Sequence, residues 1–355
     1  MVVVKANDKK ARIYGSGNLK NWELLSTFWP EGAPDQNVNA WECPDLMLLP
    51  VDGEDTKKWV LHMNVNDGHV SGGSGAQYFV GDFDGERFVN DNPPELLLWT
   101  EFGKDNYAAV SFDGVTGPRG EAYWIGWMCN WRYAMEVPTP LWRNGLTLPR
   151  LVSLQRTPCG LRLSQRPIPQ LEALRGAPVE VAPQDVGGRR MLGAVRGAAL
   201  EIVATFAPGD AASFGVGVLA GGAERTLVGV NVTAGHVFVD RANGGQHAFS
   251  DYFNGARKGP GDYFDGRAVA PMHSPGAAEV TLHMFVDTAS VEVFAEGGLT
   301  VLTTLVFPDP ASVGVFLFAE GGTARLIALT AWPLKAAQNT DANPAVPAAP
   351  AIGEI

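Results

Sequence analysis

Short apolar runs separated by turn-forming clusters set the rhythm of this chain. Trp59-Val60-Leu61-His62-Met63, Tyr78-Phe79-Val80 and Ala122-Tyr123-Trp124-Ile125-Gly126-Trp127 are strand-length. Asp52-Gly53, Asp67-Gly68, Asp84-Gly85 and Asp113-Gly114 fall between them as turn signals. No long stretch carries a clean helical period with caps. Alternation is cleaner farther on: Val280, Leu282, Met284 and Val286 share one face, and Thr281, His283 and Phe285 the other. After a short turn at Asp287-Thr288-Ala289-Ser290 comes a second strand, Val291-Glu292-Val293-Phe294. The pattern predicts an all-β protein whose second region is a β-sandwich.

The chain divides by composition as well. Nine of its ten tryptophans lie at or before Trp142, and only Trp332 lies beyond. From about residue 175 onward Ala, Gly and Val dominate, and Pro167, Pro169 and Pro178 mark the change. We expect a first domain over residues 1–165, a linker over 166–184, a sandwich over 185–334 and an Ala/Pro-rich disordered tail over 335–355.

Charge narrows the ligands. The net charge of −11 argues against nucleic acid and against an anionic membrane surface, and leaves neutral polar ligands open. No uncharged apolar run reaches the ~18 residues of a membrane span. Cys43, Cys129 and Cys159 have no metal-site spacing and make no disulfide framework. Met1-Val2-Val3-Val4 is too short for a signal peptide, so a cytoplasmic location is expected if Met1 is the true start.

Candidate chemistry centres on Trp41-Glu42-Cys43-Pro44-Asp45-Leu46. A glutamate in a stiff, largely apolar frame suits a proton donor, although structural carboxylates far outnumber catalytic ones. Gly126-Trp127-Met128-Cys129-Asn130-Trp131 offers aromatics whose apolar faces and polar edges match a sugar; core packing is the competing reading. Phe102-Gly103-Lys104-Asp105-Asn106-Tyr107 gathers hydroxyl-binding side chains in one loop, as a solvated turn would also do. Gly72-Gly73-Ser74-Gly75 lacks the lysine of a phosphate loop and reads as a turn. The six histidines have no ligand spacing.

Taken in order, these segments resemble glycoside hydrolase family 32, the β-fructosidases. Glu42-Cys43-Pro44-Asp45 looks like the family's Glu-Cys-Pro-Asp motif. The run from Gly73 to Gly85 is similar to its next blade. Asp105-Asn106-Tyr107-Ala108 resembles its Asp-Phe-Tyr-Ala loop, with Asn106 where Phe is usual. Trp124 to Trp131 resembles its Ile-Gly-Trp-Met-x-Asn-Trp strand, and Leu146-Thr147-Leu148-Pro149-Arg150 its exit from the propeller. Phe285 to Phe294 is similar to the signature of its C-terminal sandwich. The resemblance covers nearly all of residues 1–333. It implies a five-bladed β-propeller followed by a β-sandwich, and retaining hydrolysis of fructosyl linkages in levan, inulin or sucrose. Glu42 is then the general acid/base, and Trp127, Trp41, Asp105, Tyr107, Asn130 and Trp131 form the expected substrate-binding set. No metal and no cofactor is implied.

The sequence departs from the family at its front. The family's Asn-Asp-Pro motif, which carries the nucleophile, and its Arg-Asp-Pro motif should precede Glu42, and neither is present. At ~40–45 residues per blade, residues 1–150 supply about three blades. The expectation is an N-terminally truncated chain, weakly active or inactive alone, and paired as a homo-oligomer or with a complementing chain to cover open sheet edges. A full-length parent would be secreted or periplasmic. A non-catalytic fructan-binding protein and a fructosyltransferase are the alternatives.

Overall fold

A computed structural model describes residues 2–7, 9–29, 40–256 and 266–337, with backbone alone for 2–7. Most of the tail expected as disordered, residues 338–355, lies outside the described residues, as does Met1. The described chain is all-β, with short 3-10 helices at Pro169–Leu174 and Glu296–Gly298.

Three antiparallel sheets follow one another through the first region. Val2–Asn7, Lys10–Gly15 and Glu23–Phe28 make the first. Trp41–Pro50, Lys57–Val65, Gly75–Phe83 and Phe88–Asn90 make the second. Tyr107–Thr116, Ala122–Met128, Gly145–Leu146, Arg150–Thr157 and Gly160–Pro167 make the third. They stack face to face as propeller-type sheets do. Ala11, Ile13 and Phe28 pack on Leu61, Met63, Val65 and Phe79 of the middle sheet. On its other face Val60, Tyr78 and Val80 meet Trp124, Val152 and Leu154. The middle sheet is therefore buried on both sides, and residues 60–65 of Lys57–Val65 are all buried, His62 and Asn64 included.

The second region is a large antiparallel sheet wrapped around its own core. Its spine is the long strand Gly314–Pro333, which pairs with Ser213–Gly221 through its first part and with Leu200–Ala207 through its second. Gly321 and Gly322 (φ 69° and 152°) let it bend between the two. The alternation at 280–286 appears as anticipated: Val280, Leu282, Met284 and Val286 join the sandwich core, and Phe285 packs on the opposite face with Phe294 and Val301. Within 166–184, Val179–Val181 pairs with residues 329–331 and so belongs to this sheet.

Two carboxylates from the first region dock it onto the sandwich. Glu101 and Asp105 are both buried. Glu101 accepts from the Thr303 N–H and Asp105 from Arg241 Nη1, both at 2.8 Å, and Arg150 of the first region reaches Glu292 at 2.7 Å. The molecule is thus joined by paired buried charges as well as by apolar contact.

Candidate active site

Glu42 owes its position to an interruption in its strand. Trp41 pairs with Val65 and Glu42 with Asn64, but the next pair is Asp45 with His62, so Cys43-Pro44 holds one residue more than its partner strand. Such a bulge bends the strand and re-aims a side chain. Pro44 fits because the interrupted ladder asks for no N–H there, and Cys43 takes a left-handed φ of 42°. Asn64 Nδ2 pins the bulge by donating to Cys43 O at 3.2 Å.

Beyond the bulge Glu42 is half-buried and two groups donate to its Oε2. One is Asn66 Nδ2 at 3.2 Å and the other is the Tyr107 hydroxyl. Burial, reinforced by the Glu42 carboxylate, holds the Tyr107 phenol well above its usual range, so it stays a donor. Burial, and after it the Glu42 charge, push the Cys43 thiol up. The Tyr107 ring lies 6.2 Å from Trp127, which lies 4.8 Å from Trp131. Trp131 is half exposed, at 51%. Asp67, next to Asn66, accepts from Arg132, next to Trp131, at 2.7 Å. Contacts therefore run from Glu42 through Tyr107, Trp127, Trp131, Arg132, Asp67 and Asn66 back to Glu42. They enclose a carboxyl with apolar ring faces and hydrogen-bonding edges, a surface matched to a sugar.

The expected residues thus separate into two groups. Glu42, Tyr107, Trp127 and Trp131 come together. Trp41, Asp105 and Asn130 do not line this rim. Trp41 alternates with Glu42 along the strand and so faces the core, among Phe28, Trp29 and Phe79. Asp105 is fully buried and accepts from Tyr133 Oη, Arg241 Nη1 and the Leu305 N–H. Asn130 Nδ2 donates to the carbonyls of Gly72, Ser74 and Lys104, tying two loops beneath the rim. Gly73 has φ 74°, and a Cβ there would meet Asn130 Oδ1 at 2.1 Å, so the Gly-rich turn is shaped by Asn130. Asn66 and Arg132 were missed. Their only signal is membership of the loops beside Glu42 and Trp131, which requires strand pairing to see.

Other features are separate from this rim. A mostly apolar cleft of about 720 Å³ runs between the third sheet and the sandwich, past Met128, Trp142, Leu146, Phe285 and Leu334, and none of these bonds to Glu42. Among the described residues no group of three or more His, Cys, Asp or Glu is placed to hold a metal ion, and no helix is long and apolar enough to cross a membrane.

Comparison with known proteins identifies the family. The family model described as glycosyl hydrolases family 32 N-terminal domain matches residues 1–167, and that for the family's C-terminal domain matches residues 170–333. The chain belongs to glycosyl hydrolase family 32. Among family 32 proteins, it is 41% identical to a levanase of Bacillus subtilis over 342 residues, 94% of this chain and 48% of that one. It is 31% identical to an extracellular exo-inulinase of Aspergillus awamori, over 88% of this chain and 58% of that one. The crystal structure of the Aspergillus awamori exo-inulinase superposes with a TM-score of 0.81 at 30% identity, covering 92% of this chain and 62% of that one. The family 32 chain described here spans about half the length of these curated relatives. Its fold is that of the family, a propeller-type domain followed by a β-sandwich.

Proposed function

We propose that this chain carries the acid/base half of a β-fructosidase site, acting on β-fructosyl linkages of levan, inulin or sucrose with retention. The observation that carries the proposal is the convergence of Tyr107 and Asn66 on Glu42 beside the Trp127–Trp131 ledge. Glu42 protonates the leaving oxygen and then takes a proton from the incoming water. Tyr107 and Asn66 fix the carboxyl at the bond to be broken, and the tryptophans carry the apolar face of the sugar. The levanase and exo-inulinase names of the relatives support the substrate class.

Retention also needs a nucleophilic carboxylate about 5–5.5 Å from the acid. Asp45 accepts from the Ser111 N–H at 2.6 Å and Asp67 is paired with Arg132, so both are engaged elsewhere. The sequence holds no Asn-Asp-Pro before Glu42. The polypeptide of residues 1–355 alone is therefore expected to bind fructosyl chains and to turn them over weakly or not at all. Fructose release from levan, inulin and sucrose by purified wild-type and Glu42→Gln protein tests this. Robust release that disappears in Glu42→Gln would overturn the expected weak turnover. Release that persists unchanged in Glu42→Gln would overturn the role of Glu42.

A further inference from the structure

The segment that delivers Tyr107 to Glu42 is built onto the sandwich. Strand Thr300–Leu305 pairs on one side with Ser290–Ala295. On its other side, residues 101–105 of the first region occupy the free backbone groups in turn. Phe102 N donates to Val301 O at 3.0 Å and Asp105 N to Thr303 O at 3.2 Å. Thr303 N donates to Glu101 Oε1 at 2.8 Å and Leu305 N to Asp105 Oδ2 at 2.8 Å. Two carbonyls are thus met by backbone and two N–H groups by carboxylates, as a further strand would meet them. Gly103 makes the approach possible, since a Cβ there would meet Thr303 N at 2.1 Å and Thr303 O at 2.2 Å.

Side chains of the sandwich fasten both ends of this segment. Asp105 Oδ2 accepts from Arg241 Nη1, which also donates to Leu305 O at 2.8 Å and whose guanidinium lies 3.8 Å from the Phe253 ring centre. Glu101 Oε2 accepts from Thr303 Oγ1 at 3.0 Å and from Asn106 Nδ2 at 2.8 Å. From Asn106 the chain passes directly to Tyr107, whose hydroxyl is on Glu42. Ala108 follows with φ 53°, a left-handed conformation that alanine rarely adopts and that persists where the surroundings over-determine it. The fastening at 101–106 and the Tyr107–Glu42 bond come immediately before that residue.

We propose that the sandwich is a positioning element of the Glu42 site, acting through Arg241 and the strand edge 301–305 on the segment that carries Tyr107; this rests on the reading of Glu42 given above. Arg241 touches no substrate. It sets where the Tyr107 hydroxyl stands and through it how the Glu42 carboxyl is held.

Carbon-13 NMR of glutamate-labelled residues 1–355 tests this, with the Glu42 side-chain carboxyl resonance identified by its absence in Glu42→Gln. Tyr107→Phe calibrates the displacement caused by losing the hydroxyl. The expected result is that Arg241→Met moves the Glu42 resonance in the same direction and at least half as far, and that Arg241→Lys returns it toward the wild-type position. If Arg241→Met folds, melts at a lower temperature and leaves the resonance in place, the contact only joins two domains and the inference is overturned. If Arg241→Met does not fold, the near-isosteric Thr303→Val, which removes the hydroxyl shared by Glu101 and Arg150, is judged by the same two outcomes. If Tyr107→Phe itself leaves the resonance unmoved, there is no relay and the inference fails. The fructosidase reading is judged separately, on fructan binding and release.

Discussion

Replacing Arg150 by methionine should cost this protein a large share of its stability, and the cost should depend on pH. Arg150 is fully buried at the junction of the two regions. Its Nη1 donates to Glu101 at 2.8 Å and to Gln165 at 2.7 Å, and its Nη2 to Glu292 and to Thr303, both at 2.7 Å. Methionine fills much of the volume but leaves Glu101 and Glu292 buried with no cation between them. Breaking a buried pair in this way costs about 3–5 kcal/mol, against a total of about 5–15 kcal/mol for a domain. Burial already raises the Glu292 carboxyl despite the opposing pull of Arg150, and without the guanidinium the rise must be greater. A carboxyl raised on folding favours the folded state below its unfolded value and disfavours it as pH rises through the folded one. The loss in Arg150→Met should therefore be largest near pH 7.5 and smaller near pH 4.5. Urea unfolding followed by tryptophan fluorescence at the two pH values measures it. Adding Glu101→Gln and Glu292→Gln should recover at least half of the loss at pH 7.5. A loss below about 1 kcal/mol, or one equal at both pH values, would refute the reasoning.

Three further outcomes follow from buried or shielded groups. His62 is fully buried, edge-on to Trp124 at 5.0 Å, and burial pushes its imidazole down to about 4. Its contribution is complete above the unfolded value of ~6.5 and is lost as pH falls toward 4, an effect of order ~3 kcal/mol; His62→Phe should flatten the acid side of a stability-against-pH curve by denaturant titration, and an unchanged curve would count against it. Cys43 and Cys159 are exposed and Cys129 is buried. Mass spectrometry after iodoacetamide should therefore find the first two modified and the third spared. Glu42→Gln should speed alkylation of Cys43 at pH 7.5 by about two-fold, because removing the negative charge favours the thiolate; an equal or slower rate would contradict the proximity of the two side chains.

What the sequence revealed, and what it concealed, has physical reasons. Residues 280–286 alternate because the two faces of their strand meet different surroundings, the sandwich core and a half-exposed face. Strand Gly75–Phe83 is buried along most of its length, so only its apolar middle, Tyr78-Phe79-Val80, stands out. Strand Gln184–Arg196 is mostly exposed, rich in Gly and Arg, and carries no period. It exists because Gly314–Pro333 offers it an edge. The Glu42 motif was legible because a bulge needs unusual residues, here Cys-Pro. Asn66, 24 residues away, was missed, and Tyr107, 65 away, was expected from the resemblance as a sugar-binding residue and not as a partner of Glu42. Residue type also could not tell inward from outward. Trp41 and Trp131 are the same side chain, one closed in the core and the other half in solvent. Asp105 and Asn130 looked like sugar-binding groups because buried structural hydrogen bonds use the same chemistry.

The central claim, that the rim around Glu42 receives a fructosyl chain, is tested most directly by calorimetric titration of residues 1–355 with levan oligosaccharides, beside a Trp127→Ala variant shown to be folded. The account predicts saturable heat for the wild type and at least a ten-fold loss of affinity in the variant, about 1.4 kcal/mol. A flat titration of the folded wild type, or equal affinity in the two proteins, would contradict it.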